Sequence, residues 1–152
     1  MKYLMLLVLL IFSHSSLADK CVDFMQKEDF YAAADVCSSM AKKGDKNAQF
    51  AMAVMNYQGS GMMNDLAKAQ EWMRKAAQQN HNQAQYNLGI MLANGQGSDT
   101  DLVEAYAWLK ISADNGYAPA ADPIKQLGEE LSSAEKKAAN EKLQQLKKEL
   151  KL

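Results

Sequence analysis

Residues 84–116 read AQYNLGIMLANGQGSDTDLVEAYAWLKISADNG, and the prediction of the fold begins from this segment. The same pattern occurs 36 residues earlier, where residues 48–80 read AQFAMAVMNYQGSGMMNDLAKAQEWMRKAAQQN. Ten positions are identical between residues 48–83 and 84–119. A regular period of this length is typical of stacked supersecondary units that bury a shared core.

Each repeat reads as two helices joined by a glycine loop. In the second repeat, Leu88 and Leu92 fall on one face of a first helix, because a turn takes about 3.6 residues. Gly95 ends that helix, since glycine adopts the left-handed conformation without strain. Asp101 then begins a second helix as its N-cap, with Glu104 as the capping-box partner. The pattern predicts an all-α chain of antiparallel helix pairs stacked as a short α-solenoid.

The positions that recur at the 36-residue offset are interpreted as packing and turn positions. Trp72 and Trp108 fall on the apolar stripe of the second helices, so we predict core anchors rather than cofactor contacts. Gly89 lies within a first helix, where a small residue lets two helix backbones approach closely. The structural repeat positions are Ala48, Gly59, Gly61, Trp72, Ala77, Ala84, Gly89, Gly95, Gly97, Trp108 and Ala113.

The repeats divide the chain into five segments. Residues 1–18 read as a secretory signal peptide, because one lysine precedes a short apolar run and a small-x-small end. Residues 19–47 are predicted to form an N-terminal capping hairpin, 48–83 and 84–119 the two repeats, and 120–152 the C-terminal capping helices. The apolar run is shorter than the roughly 20 residues of a membrane span. We therefore expect an exported chain without stable membrane insertion, with the periplasm favoured over full secretion.

The composition excludes several classes of function. Lys and Arg number 17 and Asp and Glu 18, so the net charge of −1 argues against a basic nucleic-acid-binding protein. Two cysteines are too few for a disulfide-dense scaffold or a four-thiolate zinc site. We predict no metal, no cofactor, and a monomer.

Cys21 and Cys37 are predicted to form a disulfide. They lie symmetrically about residue 29, where the N-terminal hairpin turns, so they face each other across the antiparallel pair. Export places them in an oxidising compartment. The alternative is a pair of buried free thiols, and a redox role is disfavoured because no C-x-x-C spacing is present.

These motifs resemble those of the Sel-one-like repeat (SLR) family, a subclass of tetratricopeptide-like α-solenoids. The family pattern A-x-x-x-L-G-x-x-Y-x-x-G-x-G, followed by D-x-x-x-A-x-x-W-x-x-x-A-A-x-x-G, is matched by Ala84, Leu88, Gly89, Gly95, Gly97, Asp101, Ala105, Trp108, Ala113 and Gly116. The resemblance implies a right-handed solenoid and an adaptor that binds a protein or peptide on its concave face. Such a partner would lie in the bacterial envelope or outside the cell.

The predicted contact residues lie on the first helices or their loops, away from the apolar stripe. They are Gln49, Tyr57, Gln58, Met62, Gln85 and Asn94. No catalytic residue is predicted. His81 is interpreted as a solvated residue of the Asn80–Asn82 turn, and a catalytic role is disfavoured because no nucleophile or carboxylate partner lies nearby in the sequence.

Two alternative functions remain open. Ser39 and Lys42 match the S-x-x-K motif of penicillin-recognising enzymes, and cysteine-rich relatives in the resembled family imply weak penicillin-binding or β-lactamase-like activity. Neither S-D-N nor K-T-G follows, and chance predicts about one S-x-x-K in a chain of this composition, so we predict that the chain is not an enzyme. The other alternative is a secreted factor that acts on a host or neighbouring cell.

Overall fold

The fold is seen in a computed structural model that describes residues 17–152. The helices are α1 (Leu17–Gln26), α2 (Phe30–Lys42), α3 (Lys46–Gln58), α4 (Leu66–Gln78), α5 (Asn82–Ala93), α6 (Leu102–Asp114), α7 (Ala121–Glu130) and α8 (Ser133–Leu150), with a 3-10 turn at Ala118–Ala120. No strand occurs in this part of the chain. The predicted all-α solenoid is confirmed.

Successive helices pack as hairpins that stack on one another. The first helix of each hairpin, α1, α3 or α5, packs against the second, α2, α4 or α6. Each hairpin also rests on the next, through contacts of α2 with α3 and of α4 with α5. The core follows the stack: one cluster of buried residues joins α3 to α8, and a second joins α1, α2 and α3.

Aspartates 36 residues apart begin the second helices of the hairpins. Asp29, Asp65 and Asp101 each accept a hydrogen bond from the backbone N–H three residues later, at 2.8 to 3.2 Å. The predicted N-cap at Asp101 is therefore confirmed. The predicted capping-box role of Glu104 is wrong, because the backbone N–H of Asp101 donates instead to the carbonyl oxygen of Leu92, at 3.0 Å.

A glycine in each of the α3–α4 and α5–α6 loops allows the loop to pack closely against the preceding hairpin. Gly61 lies against the backbone of Phe30, and Gly97 lies in the same way against the backbone of Leu66. A Cβ atom at either glycine would fall inside van der Waals contact with the facing carbonyl oxygen. The recurrence of this glycine therefore reflects a close backbone approach between successive hairpins.

The N-terminal hairpin holds both cysteines. The sulfur atoms of Cys21 in α1 and Cys37 in α2 lie 2.11 Å apart, which is the distance of a disulfide bond, and both residues are fully buried. A cross-link closing a loop of this size stabilises a fold by about 3 kcal/mol, a model-dependent figure. Helix α1 has only 10 residues, and this bond joins it to α2 in addition to the connecting chain.

The predicted signal peptide lies outside the described residues, apart from Leu17 and Ala18 at the start of α1. None of the described helices has both the length and the apolar character that crossing a bilayer requires.

The last helix does not continue the hairpin pattern. Helix α8 begins with a capping box in which Ser132 and Glu135 bond reciprocally. It then packs along α6 rather than α7, and its buried residues are Ala139, Leu143 and Leu146. Lys147 forms an ion pair with Asp114 at the end of α6, at 2.7 Å. Helix α8 therefore turns back over the second repeat and covers its second helix.

Candidate partner-binding site

A groove crosses the first helices of the three hairpins and consists of two adjoining cavities. The cavity between α3 and α5 has a volume of about 230 Å³ and is lined by Val54, Tyr57, Gln58, Met73, Asn87, Ile90, Met91 and Gln96. The cavity between α1 and α3 has a volume of about 370 Å³ and is lined by Val22, Met25, Gln26, Asn47, Phe50, Ala51, Val54 and His81. Val54 lines both cavities, so the two cavities adjoin at this residue and together extend from α1 to α5.

Among residues 20–152, whose side chains the structure describes, no carboxylate, lysine or arginine lines the groove. Aliphatic and aromatic side chains form its apolar floor. Five carboxamides lie among them, from Gln26, Asn47, Gln58, Asn87 and Gln96. A carboxamide both donates and accepts hydrogen bonds, as a peptide group does. The surface therefore suits an uncharged, largely apolar segment whose backbone needs polar partners.

The structure places two of the predicted contact residues in this groove. Tyr57 is 39% exposed, and its hydroxyl accepts a hydrogen bond from Gln96 at 2.9 Å. Gln58 lies beside it and is exposed. Met62 is half-buried against the N-terminal core cluster, and Asn94 is exposed at the C-terminal end of α5, so neither of these two lines a cavity.

The contact prediction is wrong for Gln49 and Gln85, because both side chains are buried, with exposures of 5% and 0%. Gln85 donates to the carbonyl oxygen of Ala77 at 3.1 Å and accepts from Asn115 at 2.9 Å. Gln49 makes the same two bonds 36 residues earlier, to the carbonyl oxygen of residue 41 and from the amide of residue 79. A buried carboxamide must satisfy its polar atoms inside the protein, and these glutamines connect successive hairpins.

Comparison of the two repeats in the sequence could have indicated that Gln49 and Gln85 are buried. The buried glutamine is identical in both repeats, like the loop glycines and the tryptophans, whereas two of the groove residues differ between repeats: Val54 is replaced by Ile90 and Tyr57 by Ala93. Sequence reasoning missed the apolar groove residues because periodicity alone assigns them to the core.

Residues 46–81 and 82–117 match the family model of the Sel1 repeat. The chain contains two Sel1 repeats. The matches begin at Lys46 and Asn82, the first residues of α3 and α5, which is two residues before the predicted repeat starts. Proteins with Sel1 repeats generally mediate protein–protein interaction.

Two solved structures share the fold of this Sel1-repeat chain. A protective antigen present in uropathogenic Escherichia coli strains, which displays an SLR fold, superposes with a TM-score of 0.83 at 28% identity over 88% of this chain and 30% of that one. A Sel1 repeat protein from Oxalobacter formigenes superposes with a TM-score of 0.66 at 25% identity over 72% and 48% of the two chains. The chain thus spans less than half the length of either protein. None of the curated proteins matches the sequence.

The groove extends beyond the two Sel1 repeats. Helix α1 lies outside the matched residues, yet it supplies Val22, Met25 and Gln26 to the larger cavity. The Cys21–Cys37 bond holds α1 in this position. The N-terminal hairpin therefore caps the stack and also forms one wall of the groove.

His81 lies at the junction of the two Sel1 repeats and begins α5. Its Nδ1 accepts a hydrogen bond from the backbone N–H of Ala84 at 3.2 Å, and its ring stacks on Phe50 with centroids 4.5 Å apart. The prediction of a solvated turn residue is therefore wrong, because the ring is half-buried and serves as an N-cap. Burial and then the positive charge of Lys46 lower the pKa of His81 below its usual value of 6.5.

Acidification is expected to destabilise the folded chain through His81. Since the pKa of His81 is lower in the folded state, the unfolded state binds its proton first as the pH falls through 6.5. Protonation removes the Nδ1 acceptor and places a positive charge at a helix N-terminus. As the pH is lowered from about 7.5 to about 5.5, we expect the free energy of unfolding to fall by at most about 1 kcal/mol, which is the usual contribution of an N-cap. Solvent reaches the half-exposed ring and reduces the effect below that limit.

Urea unfolding at several pH values measures this loss. His81→Asn is the matched control, because asparagine is a good N-cap that does not titrate. Equal pH dependence of the parent and the variant across this window would contradict the assignment.

The residues of the S-x-x-K motif both lie within α2. Ser39 is half-buried, and Lys42 is exposed in the last turn, where a positive charge complements the helix dipole. No group of three or more His, Cys, Asp or Glu side chains suited to a metal ion occurs among residues 17–152.

Proposed function

We propose that this chain is an exported adaptor of the bacterial envelope that binds an apolar segment of another protein in the groove on its concave face. The observation that carries the proposal is that two apolar cavities adjoin at Val54 and that the described side chains lining them carry no carboxylate, lysine or arginine. Sel1-repeat proteins generally act in protein–protein interaction, which supports a protein as the occupant.

Export is supported by three independent features. Residues 1–18 have the pattern of a secretory signal peptide. The Cys21–Cys37 bond is of the kind that persists in an oxidising compartment. A structural relative that covers most of this chain is a protective antigen of Escherichia coli, which suits a protein met outside the cytoplasm.

The experiment is an in-cell crosslinking pull-down with the tagged chain, read by mass spectrometry. Val54→Glu places a charge at the point where the two cavities meet, so it should abolish capture of the partner. Val103→Glu is the matched control, because Val103 is a half-buried valine on α6 that does not line the groove. Circular dichroism verifies that both variants are folded.

One protein that is enriched with the parent and with Val103→Glu, and lost with Val54→Glu, would support the proposal and identify the partner. Equal capture by the two glutamate variants would contradict binding in the groove. No captured protein from a folded chain would contradict the adaptor function itself.

A further inference from the structure

Two large apolar side chains are strongly exposed at one edge of the stack, outside the groove. Tyr31, in the first turn of α2, is 83% exposed, and Met63, in the loop between α3 and α4, is 88% exposed. The loop is held over the start of α2 because Gly61 lies against the backbone of Phe30. This approach brings together the backbone segments that carry Tyr31 and Met63, and we call these two exposed residues the Tyr31–Met63 patch.

The core does not require either side chain of the patch. The preceding residues, Phe30 and Met62, are half-buried and pack against the N-terminal core cluster. Tyr31 and Met63 remain in water, where their apolar surface contributes almost nothing to folding. Their presence in the patch needs another explanation.

The next repeat provides an internal control for the patch. Gly97 lies against Leu66 as Gly61 lies against Phe30, so the two loops share one geometry. Thirty-six residues after Tyr31 and Met63, the chain carries Ala67 and Asp99, which are both exposed. The same geometry is therefore compatible with a small and a charged residue, and the apolar pair of α2 and the first loop is not repeated at α4 and the second loop.

The charged residues near the patch also differ from those at the equivalent positions of the next repeat. Glu28, Asp29 and Asp35 surround Tyr31 in the chain, and Asp35 lies one helical turn from it. No ion pair of these three carboxylates is formed within the described part of the chain. The equivalent positions in the next repeat hold Asn64, Asp65 and Glu71. Asp65 forms an ion pair with Lys68 at 3.4 Å, and Glu71 forms one with Lys75 at 2.6 Å.

We infer that the Tyr31–Met63 patch binds a second protein segment, in which an apolar side chain is flanked by lysine or arginine. Tyrosine and methionine supply adaptable apolar contact, and the carboxylates supply the complementary charge. The patch is separate from the uncharged groove, so the adaptor has two surfaces of different chemistry.

The test uses two synthetic peptides with a Leu-Trp-Leu core, one flanked by two lysines on each side and the other by two glutamates. Binding to the oxidised chain is measured by the fluorescence anisotropy of labelled peptide at low and high salt. The lysine peptide should bind, more weakly at high salt, and the glutamate peptide should not. The double variant Tyr31→Ala with Met63→Asp installs the residues of the next repeat and should weaken binding about tenfold or more.

Two further variants assign the effect to the patch. Asp35→Asn removes one carboxylate and should weaken binding and flatten its salt dependence. Val54→Glu changes the groove and should leave binding of the lysine peptide unchanged, so that failure of the groove proposal and failure of this inference are distinguishable.

Equal binding of the two peptides, no binding of either, or unchanged binding to the double variant would overturn the inference. Sedimentation of the chain alone tests the other occupant. A dimer that dissociates in the double variant would show that a second copy of the chain covers the patch, and would also overturn the inference.

Discussion

Gly97→Ala is expected to lower the free energy of unfolding by about 2–5 kcal/mol. The φ angle of Gly97 is +94°, a region that alanine enters at a cost of about 1–2 kcal/mol. The added Cβ would also overlap the backbone carbonyl of Leu66 and lie 3.2 Å from the Cβ of Gln70. Relieving that overlap means separating two hairpins, and overpacking of this kind costs about 1–3 kcal/mol.

Gly116→Ala is the matched control for this prediction. Its φ angle is +87°, close to that of Gly97, but a Cβ at position 116 would meet nothing within 4 Å. We therefore expect only the conformational cost, about 1–2 kcal/mol. Urea unfolding followed by circular dichroism measures both variants, and equal losses would show that the close approach to Leu66 contributes nothing.

Trp108→Ala is expected to cost about 3–5 kcal/mol, whereas Trp72→Ala should cost about 1–2 kcal/mol. The two tryptophans occupy equivalent positions of the two repeats. Trp108 is fully buried on α6, the helix that α8 covers. Trp72 is half-buried, and its ring lies 4.3 Å from the Nζ of Lys75 at the surface. Truncation at position 108 therefore leaves the larger cavity.

A polar contact adds to the effect at Trp108. Its indole N–H donates to the carboxylate of Glu104 at 3.1 Å, and Arg74 of the preceding hairpin donates to the same carboxylate. Burial opposes ionisation of Glu104, but the hydrogen bonds and charge of Arg74 outweigh it and lower the pKa of this carboxyl group. Trp108 thus orients a carboxylate that connects two repeats.

Thermal and urea unfolding of the two variants, each with a circular dichroism spectrum of the native state, measures the difference. Equal losses for Trp72→Ala and Trp108→Ala would show that α8 adds no burial to the second repeat and that the sequence symmetry extends to the energetics.

Most of the fold can be predicted from the sequence, whereas most of the residues that line the groove cannot. Asp101 was recognised as an N-cap because capping depends on residues three positions apart. The groove was recognised only through Tyr57 and Gln58, since amide and apolar residues have the same local pattern in a core and in a groove. Gln85 was misassigned for this reason: a polar residue on a helix is usually exposed, and its burial depends on partners in a neighbouring hairpin.

The 36-residue period, the pairing of helices and the glycine loops follow from the sequence alone, because these features depend on the spacing of neighbouring residues. The exposure of equivalent residues in the two repeats depends instead on the tertiary structure. That structure left Trp72 half-exposed while Trp108 is buried on the helix that α8 covers, and it buried Gln49 and Gln85 while Tyr57 lines a groove. Exposure depends on which hairpin or helix packs on a given face, and that is a property of the assembled stack rather than of any single repeat.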